Sequence, residues 1–114
     1  MSLNLTLIPE QFGYRPGDDL LAYIRLNLTL QNSDLFRRIE AEASPFSGIV
    51  LWYGDEGLEL RSADQYDTPL TWIPATRLIE ILCDGTVTFR GLDVAIIAFV
   101  RAMPPTSRCI LWWC

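Results

Sequence analysis

Arg61, Asp64, Tyr66, Asp67 and Trp72 lie close together in the chain and form its best chemical constellation. Aromatic rings beside acids and a guanidinium can hold a small polar or cationic ligand by stacking, cation–π contact and ion pairing. Most of these residues sit in or beside Ser62-Ala63-Asp64-Gln65-Tyr66-Asp67-Thr68-Pro69, a polar, turn-rich run between two expected strands. Functional side chains concentrate on such loops when a rigid scaffold holds them. The same residues also admit a structural reading. Tyr66 and Trp72 would then fill core edges, with Asp67 setting the turn before Pro69.

A second cluster, Asp55, Glu56 and Glu59, has Arg61 as its neighbouring cation. Paired carboxylates perform general acid–base or glycosidic chemistry when their environments differ strongly. A hairpin tip is normally solvated, which favours a surface role over catalysis. As surface acids they would suit a basic partner, reached through steering and charge complementarity. Trp52 and Trp112, the anchor type most enriched at interfaces, are the candidate apolar part of such a footprint.

Two absences narrow the chemistry further. The chain has no His, so Ser-His-Asp and Cys-His nucleophiles and His-ligated metals are excluded within it. All nine cations are Arg, which removes Schiff-base chemistry and the lysine of a phosphate loop. The glycines are scattered singly, so no phosphate-cradling loop is expected. Cys83, Cys109 and Cys114 are odd in number and lack CxxC spacing. Reduced thiols in a cytoplasm fit better than a disulfide framework. Zinc would need about four ligands from Cys and His, which the chain cannot supply. No cofactor or metal is expected. Asp18-Asp19 reads as a helix start.

The formal net charge is −5 over 114 residues, with a pI near 4.5. Such a surface repels phosphate backbones, so no nucleic-acid partner is expected. Met1 to Leu5 has no basic region, and Val94 to Val100 is far too short to span a bilayer. The expectation is a cytoplasmic protein, bacterial or phage, with no membrane partner. Asn4-Leu5-Thr6 and Asn27-Leu28-Thr29 match the glycosylation pattern by chance on that view. Half the residues are hydrophobic and mean hydropathy is +0.20. A domain this small cannot hide so much apolar material, so homodimerisation is expected.

The elements that would position these groups follow from periodicity. Ile49 to Tyr53 reads as a buried strand, Gly54-Asp55-Glu56-Gly57 as a hairpin turn, and Leu58 to Arg61 as the return strand. In that return, Leu58 and Leu60 are expected inward, Glu59 and Arg61 outward. Cys109 to Trp113 echoes the first strand, and the two Trp-bearing strands are expected to form the spine of one sheet. Leu3, Leu5 and Leu7 suggest an N-terminal strand, Leu70 to Ile73 and Thr86 to Phe89 two more. Helices are expected over about 18–29, from Ser33-Asp34 to before Pro45, over Ala75–Leu82 and over Leu92–Met103. Residues 24–30 also alternate like a strand. The Leu92–Met103 helix is apolar all round except at Asp93 and Arg101, so it should be covered on all sides. A helix-then-strand echo at an offset of sixty residues, ending in Tyr53 and Trp113, hints at a duplicated unit.

The expected fold is a single α+β domain over 1–114. It has an antiparallel or mixed sheet of about four to five strands, with three to four helices mainly on one face. The expected function is a non-enzymatic interaction module, homodimeric and able to bind a basic partner. The alternative is a small-molecule binder or carboxylate-dependent enzyme built on the Tyr66 loop and Trp72.

Overall fold

The computed structural model describes residues 3–10, 21, 22 and 24–114. Five strands make one sheet in the order β3-β1-β8-β7-β4: β1 (Leu5–Pro9), β3 (Leu26–Asn27), β4 (Ser44–Pro45), β7 (Thr71–Pro74) and β8 (Arg108–Trp113). Every described pairing in it is antiparallel. A smaller sheet, in the order β2-β5-β6, comprises β2 (Leu21–Ala22), β5 (Ile49–Gly54) and β6 (Gly57–Arg61). Three helices complete the described elements: α1 (Ser33–Ala41), α2 (Ala75–Leu82) and α3 (Leu92–Ala102). The α+β class and the helix packing follow the sequence reading. Among the described residues no helix is long and apolar enough to cross a membrane.

β8 runs through the middle of the large sheet, and strand alternation sends its residues to two different cores. Cys109, Leu111 and Trp113 join Leu5, Leu7 and Ile73 under the helices, packed with Leu35, Phe36, Leu78, Ile81, Ile96 and Val100. Ile110 and Trp112 face the other way, with Ile8, Phe46, Val50 and Leu70. The result is three layers: helices, large sheet, small sheet.

Several expectations need correction. The two Trp-bearing strands belong to different sheets, so Trp52 and Trp112 meet face to face across layers instead of sharing a spine. The helix expected over 18–29 is not formed in its described part. Leu21–Ala22 and Leu26–Asn27 are short strands, consistent with the alternation at 24–30, while 18–20 lie outside the described residues. Thr86 to Phe89 forms no strand; it is an irregular lead-in to α3. The N-cap of α1 is Asn32, not Ser33-Asp34: its Oδ1 accepts the Leu35 N–H at 2.9 Å. The two halves of the sixty-residue echo occupy different places, since β5 pairs with β2 and β6 while β8 pairs with β1 and β7.

α3 is covered on one side only. Ile96, Ile97 and Val100 are buried, whereas Leu92, Val94 and Phe99 are 62%, 52% and 45% exposed. Its one acid is an anchor. The Asp93 carboxylate, almost fully buried, accepts the Thr29 N–H at 2.8 Å, the Leu30 N–H at 3.0 Å and the Thr29 hydroxyl at 2.9 Å. Those bonds tie the helix to the chain leaving β3.

Candidate functional site

The β5–β6 hairpin closes on Gly54↔Gly57, with Gly57 at φ 109° supplying the left-handed residue that the turn needs. Its register pairs Val50 with Arg61, Leu51 with Leu60, Trp52 with Glu59 and Tyr53 with Leu58. Val50 is fully buried and Trp52 stacks on Trp112, with centroids 3.7 Å apart and planes 12° off parallel. Cross-strand partners share a face, so Glu59 and Arg61 lie on the inner face beside Val50 and Trp52. The expected orientation of β6 is therefore inverted. Leu58 and Leu60 stand on the outer face, 66% and 64% exposed. Each fully buried leucine would contribute about 1.5–3 kcal/mol, so the monomer forgoes several kcal/mol here.

The inner layer is held by guanidinium groups on rings. Arg25 sits over Trp52 at 4.7 Å and Arg61 over Trp112 at 5.4 Å. Arg108 lies 4.9 Å from Trp72 and 5.9 Å from Phe46, and donates to both carboxylate oxygens of Glu10. Glu10 in turn holds the Arg108 guanidinium more firmly protonated than usual. A stacked guanidinium tolerates partial burial because it is weakly hydrated and planar. Trp112 is fully buried and so presents no surface to a partner; its indole N–H meets no acceptor among the described residues.

The candidate ligand residues divide. Arg61 does join the loop: its Nη2 donates to the Asp64 carbonyl at 2.7 Å and lies 3.6 Å from Asp67, and its Nη1 donates to Glu59 at 3.2 Å. Asp64 is almost fully buried and organises the turn, its Oδ1 accepting the Tyr66 N–H at 2.8 Å and the Thr68 N–H at 3.1 Å. Asp67 adopts φ 58° and its carboxylate is solvated. Tyr66, partly exposed, lines a cavity of about 260 Å³ with Leu3, Glu40, Asp64, Thr68 and Trp113. Trp72 is not on that cavity. Its Nε1 donates to the Pro45 carbonyl at 3.1 Å, on the small-sheet side. Asp55 and Glu56 are exposed at the hairpin tip, with no ion pair among the described residues.

Sequence reasoning did not single out Arg25, Arg108 or Phe46 as part of this layer. Nothing in their local pattern marks them, because the contacts come from separate elements brought together by the stacking of two sheets. Neither the chain nor its fold has a significant match among protein-family models, curated proteins or solved structures.

Proposed function

We propose that the chain is a non-enzymatic interaction module that associates with itself and binds a basic protein partner. One observation carries this reading: the hairpin turns Leu58 and Leu60 to solvent beside a tip whose acids, Asp55 and Glu56, are unpaired among the described residues. An apolar ladder next to free acids suits a partner surface of apolar residues flanked by Arg or Lys. The test is capture from extract followed by reconstitution with the purified partner. Wild type is expected to retain a basic protein that salt releases, and Asp55→Lys/Glu56→Lys to bind it several-fold more slowly. Retention and rate unchanged by the double reversal would overturn the reading.

The cavity beside Tyr66 supports the second reading, a small-molecule binder. An aromatic-walled space of about 260 Å³ with one exposed acid, Glu40, at its rim suits a small cationic or polar ligand. On that reading Tyr66→Ala abolishes binding in a metabolite screen and the hairpin reversals are silent.

A further inference from the structure

Among the described residues the two sheets end in four edge strands, and three of them, β2, β3 and β4, are two residues long. The fourth, β6, is five residues, contains no Pro and shows no break in its register with β5. Short or proline-bearing edges resist pairing with another chain, whereas a long, regular, apolar edge invites it. The ladder also shows which backbone groups are turned outward. It ends at Gly54↔Gly57, across a two-residue turn, so that pair is hydrogen-bonded, and alternation makes Trp52↔Glu59 and Val50↔Arg61 hydrogen-bonded too. Leu58 and Leu60 therefore direct their N–H and C=O groups away from β5, toward the open edge.

We infer that β6 pairs antiparallel with β6 of a second copy of this chain about a two-fold axis at Leu60, so that Glu59 of each copy faces Arg61 of the other. The inference rests on the interaction-module reading and names one of its partners. A two-fold contact must be self-complementary, and only some registers of this strand are. With the axis at Leu60, the outward groups of Leu60 bond to those of its symmetry mate, and two Glu59–Arg61 pairs form on the inner face. With the axis at Glu59, the leucines still meet but two Glu59 carboxylates stand directly opposed, which is destabilising. Charge selects the first register. Leu60 of each copy then meets Leu60 of the other on the outer face of a continuous six-stranded sheet, and the pairing ends where Leu58 comes opposite Ser62, whose carbonyl already accepts the Leu70 N–H. A single strand edge is a small interface, so the dimer is weak and concentration-dependent.

Sedimentation equilibrium on the full chain tests this. The mass is expected to rise from 13.0 kDa toward twice that with concentration. Glu59→Arg and Arg61→Glu each place like charges opposite one another and are expected to lose the dimer when alone. Mixed in equal amounts they are expected to regain it, because both inner-face positions of the first variant are then cations and both of the second are acids. Arg61→Glu also removes a ring contact and a loop bond, so circular dichroism checks each fold. Leu60→Arg and Leu60→Glu, at an exposed side chain, provide a second pair with the same expected pattern should Arg61→Glu fail to fold. A wild type monomeric throughout, a folded Arg61→Glu variant as dimeric as wild type, or mixtures that stay monomeric would overturn the proposal. A monomer that still binds the basic partner would overturn the pairing and self-association while leaving the basic-partner part of the interaction-module reading in place.

Discussion

The indole of Trp52 lies flat on that of Trp112, 3.7 Å between centroids, and this contact fastens the small sheet to the large one. It also decides which face of the hairpin is hidden. Once Trp52 points inward, its cross-strand partner Glu59 must do the same, and Leu58 and Leu60 must point out.

Removing the upper ring should loosen the layer. Trp52→Ala is expected to cost about 3 kcal/mol by urea unfolding, from lost burial and a cavity beside Trp112. Trp112 should then meet water, with a red shift of its emission. Trp52→Phe keeps a ring in place and should lose less. An unchanged midpoint for Trp52→Ala would mean that the stack does not fasten the sheets.

Asp93 is the buried acid of α3, and three donors converge on it. Asp93→Ala leaves those donors unpaired in a nearly dry site and is expected to cost about 3 kcal/mol. Glu80→Ala, at an exposed position of α2, serves as a control within about 0.5 kcal/mol of wild type. Equal melting of the two variants would show that the Asp93 bonds contribute little.

At the hairpin the two glycines should behave differently. Gly57 sits at φ 109°, so Gly57→Val is expected to cost about 1–3 kcal/mol whatever the space around it. Gly54 is constrained by a neighbour: a Cβ there would stand 2.9 Å from a Glu59 carboxylate oxygen. Glu59 is flexible, so Gly54→Val should cost less, and Glu59→Ala should relieve it in a double-mutant cycle. Thermal melting of the four variants separates strain from crowding.

Asp84 links stability to pH. Its carboxyl is held down to about 2 from an ordinary 3.8, first by the Thr86 side chain and N–H and then by the Arg38 guanidinium. A depressed folded value means that the unfolded chain binds the proton more readily. The stabilisation is therefore complete above the ordinary value and disappears as pH falls through the folded one. The group is solvent-exposed, so the effect is small. Asp84→Asn should melt below wild type near neutrality, and the gap should close between about pH 4 and pH 2. A gap that persists at the acid end would assign it to something other than ionisation.

Much of the fold was legible because period and punctuation are local. α2 spans Ala75–Leu82 as read, opened after Pro74, and the hairpin turn falls at Gly54 to Gly57. The acids at Asp55 and Glu56 were legible as surface for the same reason. Residues 21–29 were not, since Leu20, Leu21, Ile24 and Leu28 suit a helix face as well as Ile24, Leu26, Leu28 and Leu30 suit a strand. Pairing of Leu26–Asn27 with Thr6 and Leu7 resolved the described part of that tie.

The amino-acid sequence by itself determined the chemical repertoire: no imidazole, no lysine amine, and an acidic hairpin beside an alternating leucine strand. Those are facts of composition, and no packing arrangement can alter them. Which face of that strand meets the core was decided only by tertiary structure. Alternation defines two faces but does not say which is buried. Glu59 and Arg61 went inward because their strand partners Trp52 and Val50 dock on the second face of the large sheet, where Trp112 and Ile110 wait. The aromatic stack and the guanidinium-on-ring contacts occupy the inner face, and Leu58 and Leu60 stand on the outside.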